Sequence, residues 1–228
     1  MLVADGVMMS SGTPNNVPRP SAESVHAWPY DRAACAALNS YIERRAEDEN
    51  VALVGAHLDF RGADLRGLEL HRADFTEATL EGVSFVDCMI NHADFTESSI
   101  VGAKFVNVEM IGADLFRVSG EGASFVDAWL SGTEAEFADL RSADFRNAFL
   151  GGVSFVKSDL TGADLRGAKA EHTLFTNCKI ADLRLTGLSG TVVGPSLVGS
   201  DTELADELLQ NWFHERGADI TVAPIHPS

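Results

Sequence analysis

Carboxylates recur twenty residues apart in the middle of the chain, and no other pattern in the sequence has as much chemical consequence. Asp74, Asp94, Asp114 and Glu134 follow one another at this interval. Further glutamates lie close to them in sequence, and we name the combined set the acidic wall: Asp74, Glu77, Asp94, Glu97, Asp114, Glu134 and Glu136. Ionised carboxylates accept hydrogen bonds and attract cations. A regular row of them predicts an extended negative surface rather than a catalytic pair.

Histidines and cysteines give no pattern of a catalytic or metal site. We assign His71, His92 and His172 to one side of the molecule, but at a strand spacing of ~4.8 Å His172 lies ~19 Å from His92. His71 and His92 approach more closely, yet two histidines without a third ligand are more often surface residues. Recurrent glycines indicate turns rather than a phosphate-binding loop. The sequence therefore predicts no enzyme, no metal site and no cofactor.

The element that positions these side chains is a five-residue period. A bulky apolar residue stands at every fifth position from Phe60 to Leu185, except at Gly120, Ala135 and Ala170, and a small residue precedes most of them by two places. Two inward positions in five match neither a helix nor a free strand. A short fixed period also means that each unit buries its apolar side only against its neighbours. We therefore expect a solenoid.

Four units carry the pattern most clearly: Ala63-Asp-Leu-Arg-Gly67, Ala73-Asp-Phe-Thr-Glu77, Ala93-Asp-Phe-Thr-Glu97 and Ala163-Asp-Leu-Arg-Gly167. They resemble the pentapeptide-repeat family, whose pattern is A(D/N)LXX. The resemblance implies an all-β solenoid, namely a right-handed quadrilateral β-helix with twenty residues in each coil. Short N- and C-terminal helices are expected at its ends. Residues twenty apart, such as Phe85, Phe105 and Phe125, should then stack inside it.

We expect one domain with short flanking pieces, because 228 residues with 45% hydrophobic content fit a single elongated core. The predicted parts are a disordered leader at 1–20, an N-terminal helical cap at 21–55, the β-helix at 56–190, and a C-terminal helix and tail at 191–228. Asp31 is expected to cap the first helix, with Leu38 and Tyr41 facing the core and Arg45 facing solvent. Near Gly120 and Ala135 we expect either an inward Phe137 or an outward bulge over 133–137.

Charge and cysteine content limit location and partners. A net charge of −17 argues against direct binding to nucleic acid or to an anionic membrane. An odd count of 3 cysteines, with Cys88 and Cys178 expected on different sides of the core, predicts no disulfide and suits a reducing cytoplasm. No apolar run approaches the ~18 residues that a membrane span needs. We therefore predict a cytoplasmic protein with a protein partner.

Two interpretations of the acidic wall remain open. An Asp before the bulky residue belongs to the family's repeat and can cap local backbone N–H groups, whatever the function. The resemblance also implies a second role, because members of the quinolone-resistance group are regarded as mimics of duplex DNA that bind DNA gyrase. Stacked coils would place one carboxylate every ~4.8 Å, against one phosphate every ~3.4 Å along a DNA strand.

A second candidate surface is apolar. Outward apolar residues occur once per coil in successive coils, and we name them the apolar column: Met89, Ile111, Trp129 and Phe149. A contiguous exposed patch of this kind marks a protein contact. The alternative is that the N-terminal segment, or a loop near Phe137, covers it.

The C-terminal helix is a candidate dimerisation element. Ser200-Asp-Thr-Glu203 is typical of a capping box, and we expect the helix to run from Thr202 to Arg216 and to stop at Gly217. Its apolar residues exceed what a cap on one narrow coil needs: Leu204, Leu208, Leu209, Trp212 and Phe213. In the gyrase-binding proteins that the chain resembles, this end pairs with a two-fold mate, which implies a homodimer. The alternative is a helix folded back on its own last coil.

Together these patterns predict a non-enzymatic protein-binding rod. The most concrete version is a DNA mimic that acts on DNA gyrase or a topoisomerase to give antibiotic resistance or self-protection. The alternative is a scaffold or regulatory interaction module that holds an unrelated protein by the apolar column.

Overall fold

Parallel pairing between residues twenty apart organises the chain. The structure is a computed structural model that describes residues 21–198 and 202–223, so the predicted leader at 1–20 lies outside the described residues. From Val54 to Asp164 a single bridging residue recurs at every fifth position, and each pairs in parallel with the residue twenty further on, as Asp94 does with Asp114. Each coil thus contains four five-residue units. The repeat β-helix expected from the sequence is confirmed.

Aromatic stacking fills the interior. Phe85, Phe105 and Phe125 are fully buried, and neighbouring ring centroids in this stack lie 4.9 and 5.0 Å apart with nearly parallel planes. Phe95 meets the Phe105 ring edge-on at 5.7 Å. These offset-stacked and edge-on geometries are the ones that aromatic pairs prefer. The predicted inward register is therefore confirmed.

The coil stays regular at Gly120 and near Phe137. A Cβ at Gly120 would meet side-chain carbons of Leu140 and Ile100 at 3.0 and 3.1 Å, so the flanking aliphatic residues already fill the space. Phe137 remains 44% exposed, and its amide N–H donates to the carbonyl of Val156 within the normal ladder. Both expectations for 133–137 are wrong: Phe137 does not turn inward, and the segment does not bulge.

A helix covers the first coil. After a 3₁₀ turn at Ala22–Ser24, helix α1 spans Arg32–Arg45, and the Asp31 carboxylate accepts hydrogen bonds from two N–H groups of its first turn. Leu38 and Tyr41 are buried as predicted. Arg45 does not face solvent, because its guanidinium pairs with the half-buried Glu69 carboxylate at 2.5 Å. This contact is a charge-assisted hydrogen bond, a strong class of hydrogen bond, and it joins the cap to the coil.

The C-terminal region adds two small sheets to the last coils. Its elements are β1 (Lys169–Leu174), β2 (Cys178–Lys179), β3 (Ser189–Val193), β4 (Pro195–Val198), β5 (Thr202–Ala205), α2 (Asp206–His214) and β6 (Asp219–Ala223). One sheet has the parallel order β1-β3-β6, and the other has the order β2-β4-β5 with β4 and β5 antiparallel. The described residues contain no helix that is long and apolar enough to cross a membrane.

Helix α2 begins later than its sequence suggests. Thr202–Ala205 forms β5, and Ala205 stands at the N-cap of α2 without a side-chain hydrogen bond. The predicted capping box is therefore wrong at Glu203, while its first two residues, Ser200 and Asp201, lie outside the described residues. The physical reason is that pairing with β4 uses the backbone of 202–205 in a ladder, and that ladder excludes helical geometry.

Most of the predicted dimerisation residues pack within the chain. Leu209, Trp212 and Phe213 are buried, and the Phe213 ring lies 6.2 Å from the core ring of Phe175. Leu204 is partly buried, whereas Leu208 is 66% exposed. The helix thus covers its own last coil, and Leu208 alone of the five presents a large exposed apolar surface.

Candidate protein-binding surfaces

Four carboxylates of the acidic wall form one continuous column. Asp74, Asp94, Asp114 and Glu134 pair as successive bridging residues, and we call these four the acidic column. The Oδ1 atoms of the three aspartates accept hydrogen bonds from the backbone N–H groups two residues later, at 3.0, 2.8 and 2.8 Å. The turn-capping role is therefore present. Because each cap uses Oδ1, the second carboxylate oxygen is not needed for this turn.

Elsewhere on the coil, the same capping aspartates are paired with arginine. An arginine two residues after the aspartate forms a close ion pair, with shortest N···O distances of 2.6–2.7 Å. The pairs are Asp59–Arg61, Asp64–Arg66, Asp139–Arg141, Asp144–Arg146 and Asp164–Arg166. The Arg61 and Arg66 hydrogen bonds hold the pKa of Asp59 and Asp64 below the usual range. At these five positions the chain compensates its own negative charge.

The acidic column lacks this compensation. The residues two places after its members are Thr76, Thr96, Phe116 and Glu136. In the described ranges, no ion pair joins any of its four carboxylates to a basic side chain. An uncompensated row of like charges creates an attractive field for a basic partner.

The remaining acidic-wall residues each have a polar side-chain partner. Glu77 lies 3.3 Å from Nδ1 of His57, and Glu97 forms an ion pair with Arg117 at 3.1 Å. Glu136 accepts a hydrogen bond from the Ser154 hydroxyl at 2.8 Å. We therefore expect the acidic column to carry most of the uncompensated charge of the wall.

Three of the four residues predicted for the apolar column lie in one column of the structure. Met89, Trp129 and Phe149 share a column with Glu109, whereas Ile111 lies beside it. Placing Ile111 in the column was wrong because the register repeats every twenty residues, which aligns Ile111 with Asn91. The Trp129 and Phe149 rings stack at 4.3 Å, and Trp129 is 49% exposed.

The described N-terminal segment contacts this column at its start. The Tyr41 hydroxyl donates to the backbone carbonyl of Glu69, and Arg45 pairs with the Glu69 side chain. Glu69 precedes Met89 in the column. Because the segment around Phe137 follows the regular coil, it provides no loop to cover Trp129.

The histidines and cysteines of the described residues belong to no metal-binding cluster. No three His, Cys, Asp or Glu side chains there gather at metal-binding distances. Burial lowers the pKa of His71 below its usual value, although Glu69 and Glu109 oppose the shift. Burial also raises the pKa of the Cys88 thiol to about 12, so this thiol is protonated and unreactive at neutral pH.

Comparison with known proteins identifies a repeat family. A family model described as pentapeptide repeats matches in eight copies, over residues 53–96, 121–156, 138–177 and 158–189. Curated protein sequences give no significant match.

Several solved structures are similar to this chain. A trypsin-treated variant of QnrB1, a plasmid-mediated fluoroquinolone resistance protein, is 18% identical, with 76% of this chain and 92% of that chain covered and a TM-score of 0.44. HetL, a pentapeptide repeat protein of heterocyst differentiation regulation from the cyanobacterium Nostoc, is 20% identical, with coverages of 79% and 89% and a TM-score of 0.27. A pentapeptide repeat protein of the Arabidopsis thaliana thylakoid lumen is 25% identical, with coverages of 68% and 81% and a TM-score of 0.24.

Proposed function

The chain belongs to the pentapeptide-repeat family, and we propose that it is a non-enzymatic, cytoplasmic rod that binds a protein partner. The proposal takes the rod as a right-handed quadrilateral β-helix, with four units in each twenty-residue coil. A packed solenoid of this kind presents columns of side chains on a rigid surface. Recognition then depends on charge and shape, without a catalytic step.

The most specific form of the proposal is a mimic of duplex DNA that occupies the positively charged DNA-binding surface of DNA gyrase or a related topoisomerase. Such binding would protect the enzyme from an antibiotic or a toxin. The acidic column carries this proposal, because Asp74, Asp94, Asp114 and Glu134 have no arginine partner within the described residues, while equivalent aspartates elsewhere do. One carboxylate per ~4.8 Å coil gives a regular row of negative charge that is sparser than the one phosphate per ~3.4 Å of a DNA strand.

The test removes charge from the column and keeps its turn caps. In the triple variant Asp94→Asn, Asp114→Asn and Glu134→Gln, the asparagine Oδ1 atoms can still accept the backbone hydrogen bonds. We expect the protein concentration that half-inhibits gyrase supercoiling to rise about tenfold or more. A tenfold weaker affinity corresponds to a loss of only ~1.4 kcal/mol of binding free energy, shared among the three removed charges. Binding of the parent to gyrase should also weaken as salt rises, since exposed charges are screened beyond ~8 Å.

The matched control removes three exposed carboxylates outside the acidic column: Glu171→Gln, Asp182→Asn and Glu203→Gln. This control changes the net charge by the same amount as the acidic-column variant. If binding depends on where the charges lie, its half-inhibitory concentration should stay within about twofold of the parent's. Equal losses in both triple variants would contradict a specific acidic column. A parent protein that neither binds nor inhibits gyrase would exclude gyrase as the partner.

A second candidate function is a scaffold or regulatory interaction module. The stacked and partly exposed Trp129 and Phe149 rings favour it. Aromatic residues of this kind are enriched among the residues that dominate protein–protein binding energy.

We also propose a homodimer through the C-terminal end, with Leu208 as the contact that distinguishes it from a simple cap. Leu208→Glu should convert the dimer to a monomer in light scattering, because it would bury a charge in the interface between the two copies. The substitution leaves the buried Leu209 and Phe213 in place. Val101→Glu, at an exposed position on the repeat surface, is the control and should leave the mass unchanged. A parent that scatters as a monomer at every accessible concentration would contradict the dimer.

A further inference from the structure

An open notch lies beside the Trp129 ring. Its walls include Met89, Glu109, Ile111 and Trp129, and we call these four residues the Trp129 notch. The cavity measures about 400 Å³, and Asp87 and Asn107 line it as well. Apolar walls with a carboxylate between them suit a ligand that has both an alkyl part and a cation.

One face of the Trp129 ring is directed into this notch. Phe149 lies one coil further along the column and stacks on one face at 4.3 Å. Glu109 lies one coil in the other direction, so the second face of Trp129 is turned toward Glu109. The indole therefore has one covered face and one face on the cavity.

Cations lie over four other aromatic rings among the described residues of this chain. Arg117 lies 5.0 Å from the Phe116 ring, Lys157 lies 4.9 Å from Phe137 and Lys169 lies 5.0 Å from Phe149, while Arg216 lies 4.2 Å from Trp212. Among the described residues, no cation lies over Trp129. Indole is the strongest cation–π acceptor among the side chains.

The carboxylates of the notch are oriented by amides and are not neutralised. Asn91 Nδ2 donates to Glu109 Oε1 at 2.6 Å, and Asn107 Nδ2 donates to Asp87 Oδ1 at 2.7 Å. In the described part of the chain, neither Glu109 nor Asp87 forms an ion pair. Amide hydrogen bonds thus hold both carboxylates in place, and neither carboxylate forms an ion pair within the described residues.

We propose that the Trp129 notch receives an arginine side chain presented by a protein partner. The methylene chain packs against Met89 and Ile111, the planar guanidinium stacks on the free face of Trp129, and its N–H groups donate to Glu109. Arginine fits better than lysine because a guanidinium both stacks and forms a forked hydrogen bond with a carboxylate. The net charge of −17 favours a basic partner. This inference goes beyond the acidic column, since the notch lies on other columns and does not require gyrase.

The experiment uses the full chain, labelled with ¹⁵N, and a tripeptide in which arginine is flanked by blocked glycines. The indole N–H resonance of Trp129, assigned with Trp129→Phe among the 3 tryptophans of the chain, should shift and saturate in the millimolar range. The matched citrulline tripeptide has the same shape without the charge, and it should give no saturable shift. Equal shifts with citrulline, or the absence of a saturable shift with arginine, would overturn the proposal.

Glu109→Gln tests whether the arginine tripeptide binds at the notch or is only attracted by the overall negative charge of the protein. The glutamine Oε1 can still accept the hydrogen bond from Asn91, so the local geometry is retained. We expect the apparent Kd for the arginine tripeptide to rise about tenfold through loss of the charge-assisted hydrogen bond. Glu171→Gln, which removes an exposed carboxylate three coils further along, should leave the Kd unchanged. Equal effects of the two variants, or equal affinity for a lysine tripeptide, would overturn the assignment to arginine.

Discussion

Phe105→Ala should lower the free energy of unfolding by about 3–5 kcal/mol. The ring is fully buried, stacks between Phe85 and Phe125 at 4.9 and 5.0 Å, and meets the edge of Phe95 at 5.7 Å. Truncation removes these contacts and leaves a cavity that the neighbouring coils cannot close without losing their ladder hydrogen bonds. Urea denaturation followed by the β signal in circular dichroism measures the change.

The control for this prediction is the same substitution at the surface. Phe137 is 44% exposed and contacts Phe116 and Lys157. Phe137→Ala should therefore lower the free energy of unfolding by about 1 kcal/mol or less. If Phe105→Ala and Phe137→Ala lower stability equally, the inward register of the repeats is not what holds the solenoid together.

Gly190→Ala should lower the free energy of unfolding by about 3 kcal/mol. Gly190 has a φ of +123° in β3, and a Cβ there would lie 2.8 Å from the carbonyl carbon of Ala170 in β1. The obstacle is backbone that is itself paired in the sheet, so it cannot move aside as a flexible side chain would. Urea denaturation followed by circular dichroism measures the change.

Gly102→Ala is the matched control, because it shares the positive φ without the steric obstacle. Its φ is +63°, and no atom lies within 4 Å of an added Cβ. The substitution should lower the free energy of unfolding by only about 1 kcal/mol, the usual strain of a side chain in the left-handed region. Equal losses at Gly102 and Gly190 would show that backbone conformation alone, and not the close approach to Ala170, limits these positions.

The five-residue pattern was sufficient to predict the core. The bulky residues at every fifth position from Phe60 to Leu185 are buried as expected. The interior of the solenoid is narrow, so each unit has space for only one bulky side chain, and the sequence pattern identifies that residue. The turns at the recurrent glycines were predictable for the same reason, and Gly62, Gly82 and Gly102 adopt a positive φ.

The composition of the candidate surfaces was only partly predictable. The column of Asp74, Asp94, Asp114 and Glu134 follows from the period of twenty. Its contrast with the arginine-paired aspartates was missed, although an arginine two residues after each paired aspartate is visible in the sequence. Ile111 was misplaced because the period was applied only approximately.

The sequence by itself determined the repeat, the coil length and the inward residues of this protein, because those depend on contacts between identical neighbouring units. Only the tertiary structure decided what happens at the two ends, where the repeat stops and unlike elements meet. Arg45 turns to Glu69 instead of solvent, Thr202–Ala205 pairs with β4 instead of opening a helix, and Phe213 packs against Phe175. These three contacts join residues that are far apart in sequence, and they override the local conformational propensity. A local sequence pattern does not indicate which distant residues will come into contact.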